Sequence, residues 1–327
     1  MSKLCNRYKG FVVKILLLIF FISSLFAGSL KMPIASFNAS GGVRDIVFTE
    51  NKLYSATDAG CVDIFDINTK DMLSKIEVEK ITDFMGDKIE AKIYSVDVLK
   101  EKVLILSQGN SGFAQVYIHS DNKTKLLIAS SEMLSIAKAK FIDENTLLLA
   151  LLSNELISYD IDKKAINYQF QVSQSKFSNF ALNEKKDEVV VADESGALKI
   201  YSLKDAKLLK TLKGQNLDNV FQVQNKNSII VTAGQDRRVV VYNQKTGSAY
   251  YKTSGFLVYS VGLSPSANLV AFSSDEHNNI TLFERQTQKE LTRYGGNKMT
   301  PTNILFLNED EFLVSSDDKV INLYKIK

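Results

Sequence analysis

Beyond residue 43 the chain is a succession of short runs in which apolar and polar residues alternate, separated by turns rich in Gly, Asp, Asn and Lys. Alternation at period two over four to eight residues marks strands with a buried face. One run recurs in recognisable form: VDIFDI (62–67), AQVYIH (114–119), LISYDI (156–161), LKIYSL (198–203), VVVYNQ (239–244), ITLFER (280–285) and INLYKI (321–326). Its aromatic residue falls at Phe65, Tyr117, Tyr159, Tyr201, Tyr242, Phe283 and Tyr324, at intervals of 52, 42, 42, 41, 41 and 41 residues. Self-similarity at a fixed period of this length signals a repeat architecture.

Each unit reads as four strands, as in KFSNFAL, DEVVVADESG, ALKIYSL and KLLKTL between Lys176 and Leu212. The strand before the aromatic one is nearly continuous in aliphatic residues, for example VLILSQ (103–108) and TLLLAL (146–151), which suits a strand covered on both faces. Turn residues such as Asp58-Ala59-Gly60 then favour tight hairpins. Aligning the first strands places Ile46, Val96, Ala139, Phe180, Phe221, Val261 and Ile304 in one apolar column. Phe48, Val98, Phe141, Leu182, Val223, Leu263 and Phe306 form a second column two residues on. Such columns are what sheets that bury their faces only against neighbouring sheets require.

The two ends of the chain are complementary. Only three residues follow Tyr324, so the seventh unit lacks a fourth strand, while 31–38 (KMPIASFN) reads as an unassigned strand ahead of the first unit. The expectation is an all-β, seven-bladed β-propeller over 28–327, its ring closed by the N-terminal strand completing the last blade. Closure of this kind removes two open sheet edges.

Residues 1–27 join a basic stretch (Lys3, Arg7, Lys9, Lys14) to an apolar run over 15–26 that ends in Ala27 and Gly28. This is the layout of a signal peptide, and the run is short for a membrane span. Periplasmic export with cleavage near Ala27 is expected, an uncleaved anchor being the alternative, with no membrane span after cleavage. The +3 net charge of the full chain resides mostly in this segment, since its removal leaves 36 basic against 37 acidic residues. No basic excess then favours nucleic acid. Cys5 leaves with the signal and Cys61 remains alone, so no intramolecular disulfide is available. Cys61 reads as a small, partly buried apolar residue.

Taken together, the repeats resemble those of WD40-type seven-bladed propellers. The hallmark Trp-Asp dipeptide is absent, since the chain contains no Trp, and Phe or Tyr occupies the equivalent place. The size, export signal and degenerate repeats are further similar to the accessory propellers encoded with some periplasmic nitrate reductases. That resemblance implies a role in maturation of the reductase or in electron delivery, without nitrate chemistry in this chain. Two other readings stay open: an envelope scaffold similar to the outer-membrane insertion propeller, and a hydrolase or lactonase with a metal in its channel.

Catalytic chemistry finds few residues to use. Copper or haem sites need several His ligands, and the chain has only His119 and His277. Quinone-binding propellers resemble one another in Trp-rich motifs, which are missing. GNSG at 109–112 lacks the spacing of a nucleophile elbow. Asp193, Asp236, Asp275, Asp317 and Asp318 fall where turns favour Asp. A non-catalytic protein without cofactor is therefore expected, acting as a monomer that binds protein partners in the periplasm. Candidate contacts are Arg44, Tyr94, Asn219 and Tyr259, two residues ahead of the first apolar column; Phe84, in the extra segment 79–92 between the first two units; and the adjacent Arg237 and Arg238. Aromatic residues and Arg are the types enriched at binding hot spots, and insertions into repeats often lie on a binding face.

Overall fold

The computed structural model describes residues 30–327, and the signal read over 1–27 lies outside the described residues. Seven four-stranded antiparallel sheets follow one another along the chain. Blade one comprises Val43–Thr49, Lys52–Thr57, Cys61–Asp66 and Met72–Glu77. The following blades open with Ile93–Leu99, Ile136–Phe141, Phe177–Leu182, Val220–Lys226, Val261–Leu263 and Pro301–Phe306. These first strands stand side by side around a central channel, and the molecule is a seven-bladed β-propeller.

The ring closes as the chain ends imply. Ala35–Asn38 pairs antiparallel with Val320–Lys325 in the register Ala35 to Leu323 through Asn38 to Val320, becoming the outer strand of blade seven. Phe37 is fully buried in this strand and meets the Phe65 ring edge-on at 5.6 Å. The join therefore rests on packing as well as on ladder hydrogen bonds.

The core is divided among the seven blade interfaces. Between blades one and two, for instance, Ala56, Val62, Ile64 and Ile76 meet Ile93, Val96, Ile105 and Tyr117. A blade covers its apolar faces only by having neighbours, which is why the period in the sequence is the period of the core. All seven repeat aromatics are buried, from 0% exposed for Phe283 and Tyr324 to 6% for Tyr201. In blades one to four and six the pairing of third and fourth strands shifts register just before this residue, as between Ile64 and Phe65.

Buried polar groups tie successive units together. Asp63, fully buried, accepts hydrogen bonds from Ser40 N at 2.6 Å and Ser40 Oγ at 2.8 Å. Asp193 accepts from Asn154 Nδ2 at 2.9 Å and Ser173 Oγ at 2.6 Å, joining blades three and four. Cys61 is 4% exposed, and burial pushes its thiol up from the usual range.

In blade five the register differs from the sequence alignment. The buried columns there are Val223 (2% exposed) and Asn225 (5%), so Phe221 and Val223 each belong one strand step earlier than aligned. Its first two strands are joined by a tight turn with positive φ at Asn227 and Ser228, whereas Leu182 and Glu188 in blade four are separated by a longer loop. Counting back from the buried tyrosine therefore lands two residues too early.

Candidate functional site at the channel mouth

The first strand of every blade is an inner edge, and an edge strand exposes unpaired backbone groups. Here side chains of adjacent blades satisfy them. Gln222 accepts from Val261 N at 2.9 Å and donates to Thr302 O at 2.8 Å, so one amide from blade five bridges blades six and seven. Gln224 repeats the bridge one step deeper, between Leu263 N at 2.9 Å and Ile304 O at 3.2 Å. Gly262 leaves room there: a Cβ on it would stand 2.8 Å from Ile304 O and 2.7 Å from Ile304 Cγ2. On the other side of the channel, Asp45 accepts from Val96 N at 3.1 Å and Asp97 from Phe141 N at 2.8 Å.

Towards the mouth, the pairing of first and second strands slips by one residue in six blades, as between Val43 and Asp45 or Ile93 and Ser95. The residues skipped by these bulges are Arg44, Tyr94, Ala137, Ser178, Phe221 and Thr302. A bulge frees a residue from the ladder and re-aims its side chain, and all six line the cavity that fills the channel, with a volume of about 1080 Å³. Tyr259, just ahead of the Val261–Leu263 strand, lines it too. Arg44, Tyr94 and Tyr259 are thus gathered at one mouth. Asn219 is not: Phe221 occupies the mouth position of blade five, and Asn219 instead accepts from Ser178 Oγ at 2.7 Å beside the rim.

The mouth has two kinds of surface. Phe221 and Tyr259 stack with ring centroids 5.5 Å apart and planes 15° off parallel, and Phe256 leans on Tyr259 at 6.3 Å. Arg44 Nη1 donates to Asp317 Oδ1 at 2.7 Å, with Asp58 Oδ2 3.8 Å from Nη2, so its charge is matched. Deeper in the channel Lys140 Nζ lies 3.1 Å from Asp45 Oδ2; burial opposes its charge, but Asp45 and Asp97 hold its pKa above the ordinary value. Lys138 differs. Its Nζ donates to Asn179 Oδ1 and Phe180 O, both at 2.9 Å, and stands 5.1 Å from the centre of the Phe180 ring. Burial, and then the neighbouring Lys140, push its pKa down to about 8.

Because strands alternate in direction, first-strand entries, second-to-third turns and blade-to-blade links all emerge on the same face as this mouth. That face also carries Phe84 (96% exposed), Met85 (73%), Met133 (67%), Leu217 (64%), Met299 (50%) and Leu152 (46%). Among the described residues, no exposed large apolar side chain lies in the turns of the opposite face. Those turns are charged, as at 184–187 (EKKD) and 204–207 (KDAK).

The extra segment is a small hairpin, Ile81–Thr82 against Lys88–Ile89. Asp83 Oδ1 accepts from Met85 N and Asp87 N, both at 2.9 Å, and Gly86 takes a φ of +93° that completes the turn. Phe84 and Met85 are held outward at its tip. Arg237 is exposed in the turn after Asp236. Arg238 is not a free contact: its guanidinium lies 4.0 Å from the centre of the Tyr251 ring and Nη1 donates to Gln215 O at 2.7 Å. Two further residues of the mouth and channel are Phe221, aligned in the sequence with the first apolar column, and Lys138, which no motif marked. The signal available for Lys138 was the polar alternation of its own strand, IAKAKF, which places Lys138 and Lys140 on one side.

Two of the aspartates named for turns act as such, Asp236 Oδ1 accepting from Arg238 N at 3.1 Å and Asp275 Oδ1 from His277 N at 3.0 Å, whereas Asp317 accepts from Arg44. His277 is exposed, and His119 Nδ1 lies 2.8 Å from Thr124 Oγ1. Among the described residues no three His, Cys, Asp or Glu side chains converge as a metal would need, and no helix is long and apolar enough to cross a membrane. No family model matches the chain, and no curated protein matches it significantly.

Proposed function

We propose that this is a WD40-like, non-catalytic propeller that docks a protein partner on the face of its channel mouth. The observation that carries this reading is the asymmetry between the two faces: exposed Phe, Met and Leu side chains collect on one and charges on the other. Exposed apolar clusters on soluble proteins mark interaction surfaces, and aromatic anchors such as Phe84, Tyr94 and Tyr259 supply most of the energy when they become buried. The built turn beneath Phe84 supports this role, since a rigid tip gives up little entropy on binding. Arg44 and Arg237 lie on the same face, at the polar rim.

With an export signal, the partner belongs in the periplasm, and the resemblance to nitrate reductase accessory propellers makes an exported redox enzyme the leading candidate, with an envelope assembly machine as the rival. The channel-metal hydrolase reading draws little support from Asp45 and Asp97, whose carboxylates already accept backbone and lysine hydrogen bonds.

Tagged full-length protein is captured from native periplasmic extract and its partners identified by mass spectrometry. Recovery of a redox enzyme or its maturation factors, lost on Phe84→Ser and on Tyr94→Ala/Tyr259→Ala but kept on Leu209→Ser at the outer rim, supports the reading. Partners retained by all three variants overturn the choice of face; outer-membrane assembly proteins alone overturn the redox assignment.

A further inference from the structure

Among the described residues, two lysines that line the channel cavity, Lys138 and Lys186, have no carboxylate within ion-pair distance; Lys186 donates to Phe141 O at 2.9 Å from a turn of the opposite face, and Lys138 is the one that stands on an inner strand. Arg44 is matched by Asp317 and Asp58 at the mouth, and Lys140 by Asp45 within the channel. Lys138, on the same strand and facing the same cavity, contacts only neutral acceptors, Asn179 Oδ1 and Phe180 O. Among the described residues no carboxylate lies within ion-pair distance of it. The charged groups that act on it are Lys140 from its own strand, which repels, and Asp45 of blade one and Asp97 of blade two, which attract from farther off. Both acids are engaged elsewhere, with Val96 N and Lys140 Nζ for Asp45 and with Phe141 N for Asp97. Holding an ammonium in a partly desolvated place without an anion is costly, and the depressed pKa of Lys138 expresses that cost.

The same cavity presents the stacked Phe221 and Tyr259 rings, both partly exposed. A stacked pair at a cavity wall offers a flat apolar shelf on which a further ring can continue the stack. At about 1080 Å³ the cavity is just above the usual size range of small-molecule sites, and its lining sets the aromatic pair among charged and amide side chains.

We propose that the channel binds a small aromatic carboxylate, with the carboxylate on Lys138 Nζ and the ring on the Phe221–Tyr259 shelf. The acid supplies the missing counter-ion, and Asn179, which accepts from Lys138 Nζ and lines the same cavity, fixes where the ammonium stands. Lys138 acts as a positioned cation in this site, and no covalent step is involved. The site shares Tyr259 with the protein-docking face, but it lies inside the channel and needs neither Phe84 nor a partner.

The test is a titration of full-length protein carrying 13Cε-labelled lysine, with the Lys138 resonance assigned through Lys138→Gln. Benzoate is the probe, benzamide the neutral ring, acetate the anion without a ring, and chloride the control at equal ionic strength. Benzoate is expected to saturate and raise the Lys138 pKa, acetate to do so more weakly, and benzamide and chloride to leave it unchanged. Lys138→Gln should weaken benzoate at least about tenfold, since a hydrogen bond to a charged group contributes that much. Lys138→Arg should keep benzoate binding, and Phe221→Ala should weaken benzoate without affecting acetate. A benzoate response no larger than that of chloride, a benzamide response equal to that of benzoate, or full affinity in Lys138→Gln each overturns the proposal. Partner capture by Lys138→Gln is expected to stay intact whichever way the titration falls, so failure of this site and failure of the docking reading are told apart.

Discussion

Asn225 offers a direct measure of how strictly the propeller demands apolar columns. It occupies the second buried position of the blade-five first strand, opposite Ile230, where the other blades carry Phe48, Val98, Phe141, Leu182, Leu263 and Phe306. Asn225 is 5% exposed, and both Oδ1 and Nδ2 lack a hydrogen-bond partner. Burying an amide without partners costs about 1–3 kcal/mol on mutational scales. Asn225→Val removes that penalty and adds roughly 1.5 kcal/mol of apolar burial, against an overpacking cost of about 1 kcal/mol where the branched side chain is the larger. The net expectation is a stabilisation of about 2 kcal/mol, or a rise of about 4 °C in Tm for a fold of this size. Urea unfolding and calorimetry on wild type, Asn225→Val and the larger Asn225→Leu provide the assay. A midpoint unchanged or lowered in both variants, with native circular dichroism retained, refutes the reasoning: the amide would then have partners worth as much as an apolar contact, and the column would not be a packing column in blade five.

Three further outcomes follow from the ring and its channel. Phe37→Ala, which empties a fully buried site at the closing strand, should cost about 3–5 kcal/mol in urea unfolding and speed amide exchange at the Val320–Lys325 strand, its hydrogen-bonded neighbour. Gln222→Leu should leave Val261 N and Thr302 O without their side-chain partners, costing about 1–3 kcal/mol and raising exchange at the Val261 amide. Lys138 binds its proton less tightly folded, at about 8, than unfolded, at about 10.4, so between these values the unfolded chain holds more protons and stability rises with pH. Lys138→Met should therefore be the more stable protein at pH 7, and its advantage over wild type should shrink from pH 8 to 10; an advantage constant across that range contradicts the linkage.

The number of blades, the order of strands and the closing of the ring were legible in the chain because they depend on one periodic requirement. Every blade must offer apolar faces to two neighbours, and a seven-fold repetition of that demand writes itself into residue type at Phe65, Tyr117 and their equivalents. Asp63 was visible only as a polar residue and Asp193 as a turn residue, since their worth lies in partners at Ser40 and Asn154 that sequence spacing does not pair. Blade five shows where counting stops: a two-residue turn at Asn227 and Ser228 moves the strand by two positions relative to its tyrosine, replacing Asn219 by Phe221 at the mouth. Local propensity accepts either register, and only the fit against blades four and six decides between them. The inner edge follows the same rule. Arg238 looked free and is stacked on Tyr251 of the neighbouring strand in its own blade, while Lys138, which nothing in the sequence singled out, stands unmatched in the channel, because charge pairing around the channel joins residues from different blades whose separation along the chain carries no signal.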